Sequence, residues 1–246
     1  LGVAALLVVV LVVAFVGTVV VVRRPFPAQD GSLGLPGLSA PVTVVRDDRG
    51  IPQIYAATPD DLFRVQGYVQ AQDRFFEMDF RRHVTAGRLS ELVGKNDTAL
   101  QADKVVRTLG WRRVAEQELA KADPATRRYL DDYARGVNDY VATRSPSELS
   151  VNYAMLGLDH TLPRIEPWTA LDSVTWFKAM AWDLRGNYDD ELARARTLGT
   201  VKDVDRVEQL YPPYPYSQHE PIVPGGENEA RRSGASPSPD PSPSTS

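Results

Sequence analysis

The sequence predicts an α+β chain made mostly of helices with a single β-hairpin, and three observations carry that prediction. Apolar residues recur every three or four positions in long segments that open on capping residues. One short stretch instead places two β-prone runs on either side of a turn. The start of the chain stands apart, because residues 1–22 carry no charge at all.

Residues 1–22 are almost entirely Val, Leu, Ala and Gly. A helix of that length spans ~33 Å at 1.5 Å per residue, enough for the ~30 Å hydrocarbon core of a bilayer. A core helix of a soluble protein would show a polar face, and none is present. The segment therefore reads as a transmembrane or signal-anchor helix. A cleavable signal peptide has a shorter apolar part, about 7–15 residues. Arg23 and Arg24 follow; taken alone, they place the rest of the chain in the cytoplasm, but the flank before Leu1 is the other half of that comparison. Residues 23–40, rich in Pro, Gly and Ser, read as a linker leading away from the membrane.

In residues 41–57, Val42-Thr43-Val44-Val45 and Ile51-Pro52-Gln53-Ile54-Tyr55 flank Arg46-Asp47-Asp48-Arg49-Gly50, whose Asp-rich, Gly-ended centre suits a turn. Pro52 sits near a strand start, where its missing N–H is tolerated. Thr58-Pro59-Asp60-Asp61 opens a helix expected to reach about Arg82. Its apolar residues cover more than one face, so it should be mostly buried, and Gln66, Gln70, Gln72 and Asp73 then need partners from another element. Asp123-Pro124 opens a second helix with a Tyr129, Tyr133, Val137, Tyr140 stripe that reads as core. Residues 145–167 look like loop. Thr169 then caps a third helix, with Asp172 three residues on. This helix carries Val174, Phe177, Ala181 and Leu184 on one side and Trp176, Met180 and Asp183 on another. Gly186-Asn187 should break it, with a further piece from about Asp189. Tyr211-Pro212-Pro213-Tyr214-Pro215 must be extended, and residues 225–246 read as a disordered Ser/Pro-rich spacer.

The 28 basic and 32 acidic residues are well mixed and give a net charge of −4, so no polyanion-binding surface is expected and nucleic acid is excluded as a partner. With no cysteine, disulfide frameworks, thiolate zinc sites and cysteine nucleophiles are excluded together. The three histidines, His83, His160 and His219, lie far apart and receive no role. There is no Ser-His-Asp spacing, phosphate loop or metalloprotease helix. The remaining constellation is Asp183, Asp189, Asp190 and Glu191 around the expected break. Such carboxylates are the oxygen ligands calcium takes in groups of about six to eight; a solvated acidic turn, locally neutralised by Arg185 and Arg194, is the other reading.

Several ordered segments resemble the α-chain region of penicillin acylases. Residues Val45-Arg46-Asp47-Asp48-Arg49-Gly50-Ile51-Pro52-Gln53-Ile54-Tyr55-Ala56 are similar to that family's opening hairpin, and Gly67-Tyr68-Val69-Gln70-Ala71-Gln72-Asp73-Arg74-Phe75-Phe76-Glu77-Met78 to its following helix. Arg81-Arg82, Gly87-Arg88-Leu89-Ser90-Glu91, Gly94, Trp168, Met180-Ala181-Trp182-Asp183-Leu184 and Glu191-Leu192-Ala193-Arg194 continue the pattern over residues 41–224. The resemblance implies an exported, self-cutting precursor of a four-layer αββα N-terminal-nucleophile hydrolase, to which this region gives helices and a hairpin. The catalytic serine would open a β-chain beyond Ser246, with its own α-amine as base, so no catalytic residue is expected here. The implied substrate is a small N-acylated amide, the implied partners are that β-chain and, through residues 1–22, a membrane, and the catalytic part would lie outside the cytoplasm. Family position also implies Glu191 as a structural calcium ligand, with the remaining ligands in the β-chain, and Met180 and Leu184 as acyl-pocket residues. No organic cofactor is implied. A membrane-tethered helical binding module without catalytic activity is the competing reading.

Overall fold

The computed structural model describes residues 2–28, 30–212 and 218–219, with side chains from residue 6 onward. The spacer at 225–246 and the Pro-rich run beyond Pro212 lie outside the described residues. The chain divides into two compact units, Leu1–Leu184 and Arg185–Ser246.

The first unit begins with α1 (Gly2–Arg23), which is long and apolar enough to cross a membrane and has none of its Leu6–Arg23 window buried. The segment after it is held to the body at three points. Arg24 Nη2 donates to Glu148 Oε1 at 3.2 Å, Gln72 Nε2 to the Ala28 carbonyl at 3.1 Å, and Ser39 donates through backbone and hydroxyl to the buried Asp61 carboxylate.

The hairpin pairs β1 (Thr43–Arg46) with β2 (Pro52–Tyr55) in antiparallel register from Thr43↔Tyr55 to Arg46↔Pro52. Asp47 Oδ1 accepts from the backbone N–H of Arg49 and Ile51, and Gly50 adopts φ 77°, the positive value this turn requires. Arg46 grips Asp73 with two bonds of 2.8 and 2.9 Å, docking the hairpin on the next helix.

That helix, α2 (Pro59–Ala86), starts at the Thr58 cap, departs from helical geometry at Arg74 and stops at the left-handed Gly87. It runs one turn past the expected end at Arg82, because His83 and Thr85 are buried in the body. It packs along α6 (Pro124–Val141), whose cap Asp123 accepts from Ala125 and Thr126 N–H. The two backbones meet at Gly67 and Gly136: a Cβ on Gly67 would lie 2.9 Å from the Tyr133 carbonyl carbon, and one on Gly136 would lie 2.7 Å from that of Arg64. The core around this crossing includes Ala71, Phe75, Met78, Ala134, Val137 and Tyr140.

Between α2 and α6 the chain forms α3 (Leu89–Val93), α4 (Asp97–Leu109) and α5 (Trp111–Lys121), in a region to which the sequence reading assigned no element. The buried Asp103 carboxylate accepts from the Leu89 and Ser90 N–H groups and so fixes α3 on α4. Residues 145–167 are not the loop expected. They contain α7 (Pro146–Leu149) and α8 (Val151–Leu156), started by Ser145 and Ser150, which carry Leu149 and Tyr153 into the core. The unit closes with α9 (Ala170–Asp183). The second unit holds α10 (Tyr188–Val201) and α11 (Val204–Leu210), in which Val207 is buried and Arg194 pairs with Glu208 at 3.5 Å.

Candidate functional site

Asp172 positions α9. Its carboxylate accepts from the backbone and hydroxyl of Thr169 at 2.8 and 2.7 Å, completing the expected capping box, and from Arg112 of α5 at 2.9 Å. The helix then turns small residues, Thr175 and Ala179, toward the body. Neither apolar side anticipated from sequence is the buried one, since small side chains allow the closest helix approach. Phe177, Met180 and Leu184 are left outward at 65%, 41% and 76% exposure. Their spacing of three and four places them in one row, so the end of α9 presents an apolar face.

The break at Gly186-Asn187 occurs as expected: α9 ends at Asp183 and α10 begins at Tyr188. On the first turn of α10, the exposed Glu191 carboxylate accepts from Asn187 Nδ2 at 2.5 Å, and Asp189 pairs with Arg185 at 3.2 Å. Among the described residues no three His, Cys, Asp or Glu side chains gather to hold a metal ion. The convergence considered for Asp183, Asp189, Asp190 and Glu191 is therefore not found, and Asp189 takes the locally neutralised form. Glu191 alone cannot supply the roughly six to eight oxygens of a calcium shell, but an open carboxylate of this kind fits as one ligand of a shared shell.

Two features escaped the sequence reading. The first is a buried polar network on α2. Arg82 Nε and Nη2 both donate to Asp79 Oδ1, with the Nε bond at 3.0 Å; Tyr153 donates its hydroxyl to Asp79 Oδ2 at 2.6 Å. Arg82 Nη1 also donates to the carbonyls of Glu166 and Pro167, at 3.0 and 3.2 Å. His83 Nδ1 lies 2.7 Å from the Asp79 carbonyl, to which it must donate, and 3.4 Å from the Asp79 carboxylate. Burial pushes the Asp79 carboxyl up, but the hydrogen bond to His83, the charges of Arg82 and His83, and the Tyr153 bond outweigh it and hold it at about 2. Burial pushes His83 down, but the bond to and charge of Asp79 prevail and raise it. The signal was Asp79-Phe80-Arg81-Arg82-His83, where an acid and two bases lie three and four residues apart on a helix with apolar neighbours.

The second is a cavity of about 500 Å³ where α2, α6 and α9 meet, walled by aromatic and apolar side chains including Phe63, Tyr129, Tyr133, Trp168 and Trp176. Tyr129 and Tyr133, expected in the core, both line this space, and Tyr133 also packs against the core cluster. Two ring groups on its wall are hydrogen-bonded: Tyr133 donates to Gln70 at 2.8 Å, and Trp168 Nε1 to Ser173 at 3.0 Å. The burial expected of the polar residues on α2 is not found for Gln66, Gln70 and Asp73, which are exposed, and Gln72 is only partly buried; Gln72 and Asp73 are nonetheless held by Arg46. Met180, Leu184 and Glu191 are not on the cavity wall.

Comparison with known proteins gives a consistent answer. The family model described as penicillin amidase matches residues 41–242. The chain is 38% identical over 189 residues to the penicillin acylase 2 proenzyme of Pseudomonas sp. (strain SE83), covering 77% of this chain and 23% of that protein. It is 34% identical over 189 residues to the acyl-homoserine lactone acylase QuiP of Pseudomonas aeruginosa, covering 77% of this chain and 21% of that protein. Against these two relatives the chain therefore spans less than a quarter of the full length. Among solved structures, the thermostable penicillin G acylase of Alcaligenes faecalis in its tetragonal form superposes with a TM-score of 0.57 at 25% identity, covering 83% of this chain and 98% of the matched chain.

Proposed function

This chain belongs to the penicillin amidase family, and we propose that it is the α-chain part of an amidohydrolase that cleaves the linear amide bond of small N-acylated substrates of the β-lactam, acyl-homoserine lactone or lipopeptide type. The family match over residues 41–242 carries the reading. Coverage supports it: 98% of one chain of the Alcaligenes enzyme against 23% of a proenzyme is the proportion expected of an α-chain beside a longer β-chain.

In this reading the nucleophile is the serine at the N-terminus of that β-chain. Its α-amine, with an ordinary pKa near 8, takes the hydroxyl proton, does a histidine's work and needs no acid or base from this chain. The helices described above join the β-chain in a four-layer αββα fold. The outward row Phe177, Met180 and Leu184 is what such a partner would cover, and an apolar face of this kind suits an aliphatic or aromatic acyl group. Met180 and Leu184 are assigned to that acyl pocket. In the complete precursor, Leu184→Phe should shift preference toward shorter acyl groups, changing the kcat/KM ratio of long to short chains by about tenfold or more. An unchanged ratio removes Leu184 from the pocket.

Glu191 is assigned as one calcium ligand, with the others in the β-chain; bound there, the ion would tie the two chains together. Glu191→Gln should lower the calcium retained after dialysis of the processed protein, read by metal analysis, and full retention would take Glu191 out of the shell. Helix α1 is assigned as the anchor that holds the protein on a membrane with its catalytic part outside the cytoplasm.

The deciding test is expression of the complete precursor and assay of amine release from N-acyl β-lactams, N-acyl-homoserine lactones and acylated peptides. Release from any of them supports the reading. A stable protein inactive on all, together with an autonomous soluble fold of residues 41–224, would favour a tethered binding module.

A further inference from the structure

Resting on the assignment of α1 as a membrane anchor, we propose that the corner formed by α7 and α8 lies on the bilayer surface, with Phe26, Met155 and Leu158 set among the lipid headgroups. Helix α1 packs against α8, and Arg24, just beyond the span, pairs with Glu148 of α7 at 3.2 Å. The corner therefore stands where the chain leaves the apolar helix. Val19 is the single residue of 6–24 that is partly covered, about 6 Å below the charged end of the span at 1.5 Å per residue. Contact between body and anchor thus begins at headgroup depth.

The corner shows two kinds of apolar residue. Leu149 and Tyr153 are buried in the core, whereas Met155 and Leu158 are exposed at 64% and 89%, and Phe26 at 65%. The Leu158 N–H donates to the Met155 carbonyl at 3.1 Å, so the helical turn continues and the two side chains, three residues apart, share a side. Bulky apolar groups on segments tied to the end of a span that carries an arginine have the composition of an interfacial contact, with the apolar part in the acyl boundary and the cation at the phosphates. Asp159, exposed and 3.6 Å from His160, limits how deeply the corner can enter. Continuity with the span selects lipid as the occupant, because anything else on this corner would also have to sit at the bilayer surface.

The chain has no cysteine, so single cysteines can be placed and labelled cleanly in it. Leu158→Cys, Leu11→Cys in the span and Gln101→Cys on the exposed side of α4 would each carry an environment-sensitive fluorophore. The precursor would be reconstituted in phosphatidylcholine vesicles containing lipid spin-labelled near the headgroup. The label at 158 should be blue-shifted and quenched about twofold or more relative to the label at 101, as expected for burial of about 5–10 Å into the interface. A label at 158 that stays in water overturns the proposal. If the label at 11 is then blue-shifted, as at the centre of the bilayer, the anchor assignment survives; if it is also in water, both fall. A label at 158 that is blue-shifted but unquenched shows protein cover, such as the β-chain, and also overturns the proposal.

Discussion

Gly136→Ala is expected to cost the packed body of this chain about 3 kcal/mol or more, the upper end of what overpacking does. In an open helix the same change would gain about 1 kcal/mol of propensity. Here the added methyl would sit 2.7 Å from the Arg64 carbonyl carbon and 2.9 Å from the Tyr68 nitrogen, both backbone atoms that no rotamer change can move. Carbon contacts settle at about 3.5–4.0 Å, so α2 and α6 would have to part by on the order of 1 Å along their whole shared face. The interface holds Ala71, Ala134, Val137 and Tyr140, whose dispersion contacts would weaken together. Thermal unfolding of the precursor measures the loss. A variant as stable as the parent would mean that the helices do not approach this closely.

Arg82→Met should be at least as damaging, at about 3–5 kcal/mol, because it leaves a buried carboxylate without its arginine. Asp79 is 1% exposed, and the carbonyls of Glu166 and Pro167 would lose their Arg82 donor as well. Those carbonyls belong to the irregular segment leading to Trp168 and α9, so the damage should spread to the helix that carries Met180 and Leu184. The network also gives the parent protein a pH signature. Asp79 is held at about 2 in the folded state against 3.8 ordinarily, so its contribution is present above 3.8 and is lost as pH falls toward 2. His83 is raised above 6.5, so its contribution is present below 6.5 and is lost as pH rises through its folded value. The network should therefore stabilise most between about pH 4 and 6.5. In Arg82→Met the acid limb should move to higher pH, since the main charge holding the Asp79 carboxyl down is gone. Denaturant unfolding from pH 2 to 8 would show both limbs, and a parent curve flat across that range would show that the network contributes nothing to stability.

What could be read in advance was whatever local chemistry decides. The turn at Asp47-Asp48-Arg49-Gly50, the caps Thr58, Asp123 and Thr169, the break at Gly186-Asn187 and the uncharged run at 1–22 all depend on residues a few positions apart. The segment holding α4 and α5 was not legible for a matching reason. These helices bury only Ala99, Asp103, Val106 and Ala115, while Leu100, Val105, Leu109 and Val114 face outward, so no apolar stripe marks the inner side. Residues 145–167 were misread because α7 and α8 are four and six residues long, too short for a periodic signal.

The family could be named from ordered motifs because those motifs are residue identities, which a sequence contains in full. Tertiary structure alone decided which faces meet. It placed Gly67 and Gly136 where two backbones touch, drew Asp79, Arg82, His83 and Tyr153 into one buried network, opened the aromatic cavity beside α6 and turned Met180 and Leu184 outward. The physical reason is that periodicity shows that a helix has an inner face, whereas close approach, desolvation and charge pairing depend on what another, distant segment puts opposite it.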